Sequence, residues 1–105
     1  MLQITSTAEF SKVISQDKIV VVDFMAQWCK PCKAIAPILD DMNTEFGDKI
    51  DILKVDVDDE DVEEVCAEYR VSCMPTFIFF KNGKRIHRIT GTAVNDIRTC
   101  IEKNI

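Results

Sequence analysis

A continuous apolar run early in the chain restricts the possible folds more than any other feature. The segment IVVVDFM, residues 19–25, is apolar at every position except Asp23. A strand with one face in solvent usually alternates polar and apolar residues, whereas a strand covered on both faces is apolar along its length. We therefore predict a central strand here, with helices packed against both of its faces.

The rest of the chain alternates strand-like and helix-like patterns. LQIT (residues 2–5) and KIDILKVDVD (49–58) are strand-like, and STAE (6–9) is a capping box in which Glu9 reaches back to the Ser6 N–H. Apolar residues recur at helical spacing in four segments: Phe10, Val13 and Ile14; Ile35, Ile38, Leu39, Met42 and Phe46; Val62, Val65, Cys66 and Tyr69; and Val94, Ile97 and Ile101.

A hairpin is predicted near the end of the chain. The strand-like segments TFIFF and KRIHRIT flank Asn82-Gly83, a dipeptide typical of tight hairpins because both turn positions require positive φ. The complete element order is therefore βαβαβαββα. Such an order predicts an α/β fold with a mixed central sheet and helices on both faces.

Length, charge and hydropathy exclude several classes of protein. With 105 residues, the chain is long enough for one domain, residues 1–105, that has its own core. A net charge of −5 argues against a nucleic-acid partner, and the acidic run DVDDEDVEE (56–64) is interpreted as a solvated loop and helix start.

No apolar run approaches the roughly 20 residues that span a bilayer, and the first ten residues, MLQITSTAEF, lack a secretory-signal pattern. We expect no membrane association and a cytoplasmic location.

The motif WCKPC, residues 28–32, places Cys29 and Cys32 close together behind the only tryptophan. A zinc site would need four ligands, and no second close pair of Cys or His supplies the other two. A permanent structural disulfide would close only a short loop, and an odd count of five cysteines argues against a disulfide-stapled fold. Thiol–disulfide exchange is therefore the favoured function of the pair, with no metal expected.

The predicted position of the pair suits exchange chemistry. Cys29 precedes a helix that starts at or near Pro31, where a proline costs no hydrogen bond. Unpaired N–H groups and the helix dipole at this end favour thiolate over thiol. Cys32, one turn further along, should be more shielded and able to displace product from a mixed disulfide.

Two charged residues interrupt apolar strands near the pair. If Asp23 is buried, its pKa should be raised and it could exchange protons with a thiol; if it lies at the end of its strand, it faces solvent. Lys54, in the strand DILKVD, could face Asp23 or be exposed. The sequence leaves both alternatives open.

The chain resembles the thioredoxin family over essentially its whole length. VVVDFMAQWCKPCK resembles the family's strand and active-site segment, CMPTFIFFKNGK its proline loop and hairpin, and ITGT its last strand end. CMPTF is similar to cytosolic animal thioredoxins. The resemblance implies a thioredoxin fold and a protein-disulfide reductase in which Cys29 is the nucleophile, Cys32 the resolving thiol, and Asp23 a buried carboxyl that assists Cys32, with Lys54 near it.

The resemblance also implies a substrate groove and partners. Pro75 would be a cis-proline facing the disulfide, and Trp28, Met74, Pro75 and Gly91 would line a shallow groove for an extended polypeptide. The protein would bind no cofactor and would receive electrons from an NADPH-dependent thioredoxin reductase. Its partners would be disulfide-containing proteins such as peroxiredoxins, and it would be a monomer. A glutathione-using enzyme and a redox-gated binding module are the alternatives.

Lys30 departs from the family pattern, which has Gly after the first cysteine. A cation beside Cys29 would stabilise its thiolate, although an exposed ammonium acts weakly through water.

The three remaining cysteines, Cys66, Cys73 and Cys100, are expected in two kinds of environment. Cys66 and Cys100 lie on apolar helical stripes and are expected in the core. Cys73, in the loop before Pro75, is expected to be an accessible regulatory thiol that can link two chains on oxidation.

Overall fold

A five-stranded mixed sheet runs through the computed structural model, which describes residues 1–105. Its strands are β1 (Leu2–Gln3), β2 (Ile19–Met25), β3 (Ile50–Asp56), β4 (Thr76–Lys81) and β5 (Lys84–Thr90). Their order across the sheet is β1-β3-β2-β4-β5. The first three strands of that order are parallel, whereas β4 is antiparallel to both of its neighbours.

Four α-helices cover the sheet: α1 (Thr7–Ile14), α2 (Lys30–Phe46), α3 (Glu63–Glu68) and α4 (Val94–Asn104). Short 3-10 helices at Gly47–Lys49 and Glu60–Val62 precede β3 and α3. The order of strands and α-helices confirms the predicted βαβαβαββα arrangement and the mixed sheet.

Strand β2 is buried at all seven positions, and its two faces contribute to different hydrophobic clusters. One cluster lies under α1 and α3 and includes Val20, Val22 and Phe24 from β2. The other lies under α2 and α4 and includes Ile19 and Val21. Full burial of one such side chain contributes about 1.5–3 kcal/mol to the free energy of unfolding. The continuous apolar pattern therefore predicted correctly that both faces of this strand are covered.

The β4–β5 hairpin turns at Asn82 and Gly83, whose φ angles are 54° and 79°. Both values lie in the left-handed region that Asn and Gly tolerate best, as the sequence predicted. The Asn82 N–H donates to Gln16 O at 3.0 Å and the Gly83 N–H to Ile14 O at 2.8 Å. These bonds attach the turn to the end of α1, because the carbonyls there have no intrahelical partner.

The capping box at the start of α1 is half confirmed. The Ser6 hydroxyl accepts from the Glu9 N–H at 3.1 Å, as predicted. However, the Glu9 carboxylate accepts from the Thr5 N–H at 2.8 Å, one residue before the expected donor. Alternate N–H groups of an edge strand point away from its neighbour. Ile4 N bonds Lys54 O, and Thr5 N is therefore left for the carboxylate.

Candidate functional site

Cys29 and Cys32 form a disulfide at the start of α2, with their Cα atoms 5.3 Å apart. Cys29 is the N-cap residue of the helix, and its Sγ accepts from the Cys32 N–H at 3.2 Å. Lys30 and Pro31 are the first two helical residues. The first N–H groups of a helix have no intrahelical partner, so one of them is directed at the Cys29 sulfur. The predicted position of the pair is confirmed.

The two cysteines are equally buried, which was not expected. Each has 3% of its surface exposed, and both pack in one small cluster with Met25 and Ala26, against which Met74 also packs. The expectation that Cys32 is the more shielded residue is wrong for the disulfide form. Because the bond holds both sulfurs against the same neighbours, neither can turn outward.

Trp28 is the exposed residue of the motif, with 64% of its surface accessible. Its indole Nε1 donates to Asp58 Oδ2 at 2.9 Å, which orients the ring beside the disulfide. Asp58 belongs to the acidic run of residues 56–64, whose composition alone predicts a solvated loop and helix start. A signal was available, because Trp28 and Asp58 follow neighbouring parallel strands, whose carboxyl ends meet at one edge of the sheet.

The loop before β4 lies against the cysteines through the half-buried Met74. The Met74–Pro75 peptide bond is cis, as the family resemblance implied. Gly91, with φ of 98°, donates its N–H to Pro75 O at 2.8 Å and so ties the end of β5 to this loop. In contrast, the backbone N–H and C=O of Met74 make no backbone hydrogen bond within the protein. Both groups are therefore free to pair with another chain.

Asp23 lies under the disulfide at one end of a cavity of about 150 Å³ that Cys32 and Lys54 also line. Only 1% of Asp23 is exposed, and its Oδ1 is buried without a hydrogen-bond partner. Burial raises the pKa of Asp23 to about 7, while Lys54, its register partner on β3, acts in the opposite direction. Of the two sequence interpretations, the structure supports the buried carboxyl and places Lys54 facing it.

The other three cysteines are free thiols. Cys66 on α3 is half-buried and Cys100 on α4 is buried, and burial raises the pKa of each thiol. Cys73 is exposed in the loop before Pro75.

The single histidine, His87, for which the sequence suggested no partner, lies against Phe79 with the ring centroids 5.8 Å apart. No group of three or more His, Cys, Asp or Glu side chains is arranged to hold a metal ion.

No helix in the structure is both long enough and apolar enough to span a bilayer.

Comparisons with known proteins give a consistent result. The thioredoxin family model matches residues 1–103. Thioredoxin-1 of Schizosaccharomyces pombe is 41% identical over 98% of this chain and 97% of its own length. The crystal structure of Fasciola hepatica thioredoxin covers all of both chains with a TM-score of 0.92 and 37% identity.

Another similar chain comes from a solved structure on the thiol resolving mechanism in yeast mitochondrial 1-Cys peroxiredoxin via glutathione/thioredoxin systems. It has a TM-score of 0.88 and 30% identity, covering 98% of this chain and 94% of that one. Family model, sequence relatives and solved structures thus agree with the disulfide at the start of α2. The chain belongs to the thioredoxin family, and its Cys29–Cys32 pair is the redox-active centre of a dithiol–disulfide oxidoreductase.

Proposed function

We propose that this chain, as a single domain of residues 1–105, reduces disulfide bonds in other proteins by using Cys29 as the nucleophile. The observation that carries the proposal is the Cys32 N–H directed at Cys29 Sγ at the N-terminal end of a 17-residue helix. A hydrogen-bond donor and the positive end of the helix dipole both stabilise a thiolate. The first residues of that helix are Lys30, which places a positive charge beside Cys29, and Pro31, at which the helix can start without losing a hydrogen bond. Both support ionisation of Cys29 at this helix end.

The reaction consists of two exchanges. The Cys29 thiolate attacks one sulfur of the substrate disulfide, so a mixed disulfide forms and one substrate thiolate leaves. The Cys32 thiolate then attacks Cys29 Sγ, which closes the Cys29–Cys32 bond and releases the second substrate thiolate. The substrate gains two electrons and two protons, and the dithiol of the protein loses them.

Asp23 acts in the second exchange as the acceptor of the Cys32 proton. Both residues line the same cavity, whose volume of about 150 Å³ leaves room for a water molecule to relay the proton between them. A carboxyl with a pKa of about 7 is partly ionised at neutral pH and can both take up and release a proton. Lys54, which faces Asp23, holds part of the carboxyl population in the ionised form that this step needs.

Trp28, Met74, Pro75 and Gly91 form the substrate groove. The exposed indole supplies apolar contact area beside the disulfide. The unpaired backbone groups of Met74 can bond an extended substrate segment as an added strand, which gives affinity with little side-chain specificity. Pro75 and Gly91 hold the loop in place through their mutual backbone bond.

The partners and location follow from the family. Electrons are supplied by an NADPH-dependent thioredoxin reductase, and the substrates are disulfide-containing proteins, including peroxiredoxins. The similar yeast chain connected with a 1-Cys peroxiredoxin supports the latter. We place the protein in the cytoplasm as a monomer, where three free thiols would stay reduced.

Cys73 is a regulatory thiol. It is exposed, and the neighbouring Met74 packs against the cysteine cluster. Oxidation of two Cys73 thiols by one peroxide molecule forms an intermolecular disulfide and two water molecules. A second chain attached at this position would cover the groove and block substrate access.

Insulin reduction with dithiothreitol as the electron source tests the proposal. The wild-type protein should accelerate precipitation of the insulin B chain, and Cys29→Ser should lose the acceleration, because removing a catalytic nucleophile costs at least about a thousandfold. Cys66→Ser, which removes a thiol outside the site, should retain it. Equal activity of Cys29→Ser and wild type would disprove the proposed role of Cys29.

A further inference from the structure

We propose that Lys30 is a specificity-determining residue that makes this site prefer disulfides flanked by carboxylates. The inference rests on the proposed disulfide reduction and adds the charge of the preferred substrate. Lys30 is the first residue of α2 and directly follows Cys29 in the chain, and its side chain is exposed. Its ammonium is therefore close to any polypeptide whose disulfide reaches the Cys29 sulfur.

No group of the protein neutralises the Lys30 charge. The ion pairs of the structure join Lys18 to Asp51, Arg98 to Glu45, and the terminal amine to Asp40. The first turn of α2 contains no acidic residue, and the Lys30 side chain makes no hydrogen bond to the protein. The charge therefore remains available to a bound substrate.

Lys33 adds a second exposed and unpaired cation one helical turn later. Residues three apart on a helix are neighbours, and like charges at this spacing destabilise the helix slightly. Cations at this end of a helix are also unfavourable toward its dipole. Lys33 also lines the cavity of Asp23 and Cys32, whereas Lys30 has no partner in the protein. An interaction with an anionic partner therefore gives a physical reason for the position of Lys30.

The positive charge is local to one side of the site. The whole chain carries a net charge of −5, and the acidic residue fixed at the motif, Asp58, is bonded to Trp28 and makes no ion pair with Lys30. A substrate with a carboxylate next to its disulfide is attracted only where it lies against the start of α2. A substrate with a cation at that position meets Lys30 and is repelled. Lys30 therefore affects which disulfides bind and in which orientation.

This effect differs measurably from an effect on the Cys29 thiolate. A change in Cys29 reactivity multiplies the rates for all substrates of a given chemistry by a common factor. An interaction with substrate charge changes the rates for anionic and cationic disulfides in opposite directions and leaves a neutral one between them. The pattern across substrates thus separates the two roles of one side chain.

Three small symmetrical disulfides provide the probes: dithiodipropionate, hydroxyethyl disulfide and cystamine, which are dianionic, neutral and dicationic at neutral pH. The fully reduced protein is mixed with each probe, and the second-order rate is followed by the fluorescence of Trp28. Wild type is compared with Lys30→Gln. Lys84→Gln, which removes one exposed charge beside the distant β4–β5 turn, is the matched control.

Lys30→Gln should lower the dianionic-to-neutral rate ratio by about twofold to fivefold and raise the dicationic-to-neutral ratio by a similar factor. Molar salt should remove most of the difference, because it screens exposed charges. Lys84→Gln should leave both ratios at their wild-type values.

A Lys30→Gln variant whose rates all change by one common factor, or do not change, would overturn the inference while leaving disulfide reduction intact. The same applies if Lys84→Gln shifts the ratios equally, since the effect would then belong to the net charge. A wild-type protein that reduces none of the three probes would overturn the proposed function as well.

Discussion

The cysteine pair at the start of α2 and the cysteines of α3 and α4 are the same residue type in different surroundings. Cys29 caps a helix and accepts a backbone hydrogen bond that favours its ionised form. Cys66 and Cys100 lie on the inner faces of helices, where burial raises the pKa of the thiol. The helix end favours the thiolate of Cys29, whereas burial without such a donor disfavours the thiolates of Cys66 and Cys100, so the polar groups that face a buried cysteine matter as much as its burial.

Burial alone would have given the wrong assignment. Cys29 is 3% exposed, Cys100 is 9% exposed and Cys66 is half-buried, so the pair is less accessible than either of the other two thiols. The carboxyl that shares a cavity with Cys32 is the buried Asp23, whereas the one that shares a cavity with Cys100 is the exposed Asp96.

Asp23→Asn should stabilise the oxidised protein, and more at pH 8 than at pH 5. Folding raises the pKa of Asp23 from 3.8 to about 7, so the folded state holds this proton more tightly than the unfolded state. Stability therefore falls as pH rises through this interval. Relative to low pH, the Asp23 carboxyl lowers the free energy of unfolding by on the order of 4 kcal/mol at pH 8, where it is buried as the anion, and by roughly 1.5 kcal/mol at pH 5, where folding requires it to take up a proton; Asn removes both costs.

Urea unfolding of both proteins at the two pH values measures this difference. Asp41→Asn, at an exposed position on α2, is the control and should change the free energy of unfolding by less than about 0.5 kcal/mol. A gain for Asp23→Asn that is the same at both pH values would show that its carboxyl has an ordinary pKa.

Alkylation of the fully reduced protein should distinguish the cysteines by environment. At pH 7, iodoacetamide should modify Cys29 about tenfold faster than the exposed Cys73, because the helix end favours the thiolate. Cys66 and Cys100 should react more slowly than Cys73, because burial raises the pKa of each and limits access. Mass spectrometry of quenched digests gives all rates from one sample. A Cys29 that reacts no faster than Cys73 would contradict the thiolate mechanism.

Cys73→Ser should abolish peroxide-induced dimers on a non-reducing gel. Cys73 is the only free cysteine with an exposed position, so it is the thiol that can meet its counterpart on a second chain. Cys66→Ser and Cys100→Ser are the matched controls and should retain the dimer. If the dimer persists in Cys73→Ser and disappears in a control, the regulatory thiol has been assigned to the wrong residue.

Lys30→Gly should raise the pKa of Cys29 slightly, because an exposed ammonium stabilises a nearby thiolate only weakly. The reduction potential should become slightly less oxidising. Thiolate absorbance during a pH titration measures the change, and Lys30→Gln separates the loss of charge from the greater flexibility of glycine. Equal or reversed pKa values would show that this lysine does not tune the nucleophile.

Local sequence patterns predicted the elements of the fold well, because each pattern reflects a local requirement. The apolar run of residues 19–25 predicted the doubly covered strand, and Asn82-Gly83 predicted the turn with positive φ. The position of Cys29 at a helix start also followed from the adjacent Pro31. The cis state of Pro75 came from resemblance alone, since only about 5–6% of X–Pro bonds in folded proteins are cis.

Contacts between distant segments could not be read from the pattern. The sequence left Asp23 equally compatible with a buried and an exposed carboxyl, and gave no partner for Trp28. The Glu9 bond to Thr5 and the equal burial of Cys29 and Cys32 were also not anticipated. Each depends on which segments lie beside one another, and that depends on the packing of the whole sheet.

The order of elements, the covered central strand and the thiol pair at the start of a helix can all be predicted from the amino-acid sequence, because they depend on periodicity and on residues close together in the chain. The burial of Asp23 facing Lys54 and the bond by which Asp58 orients Trp28 are visible in the folded protein alone. The pKa of a carboxyl and the orientation of an indole are set by neighbours in space, and the register of β2 and β3 brings these neighbours together.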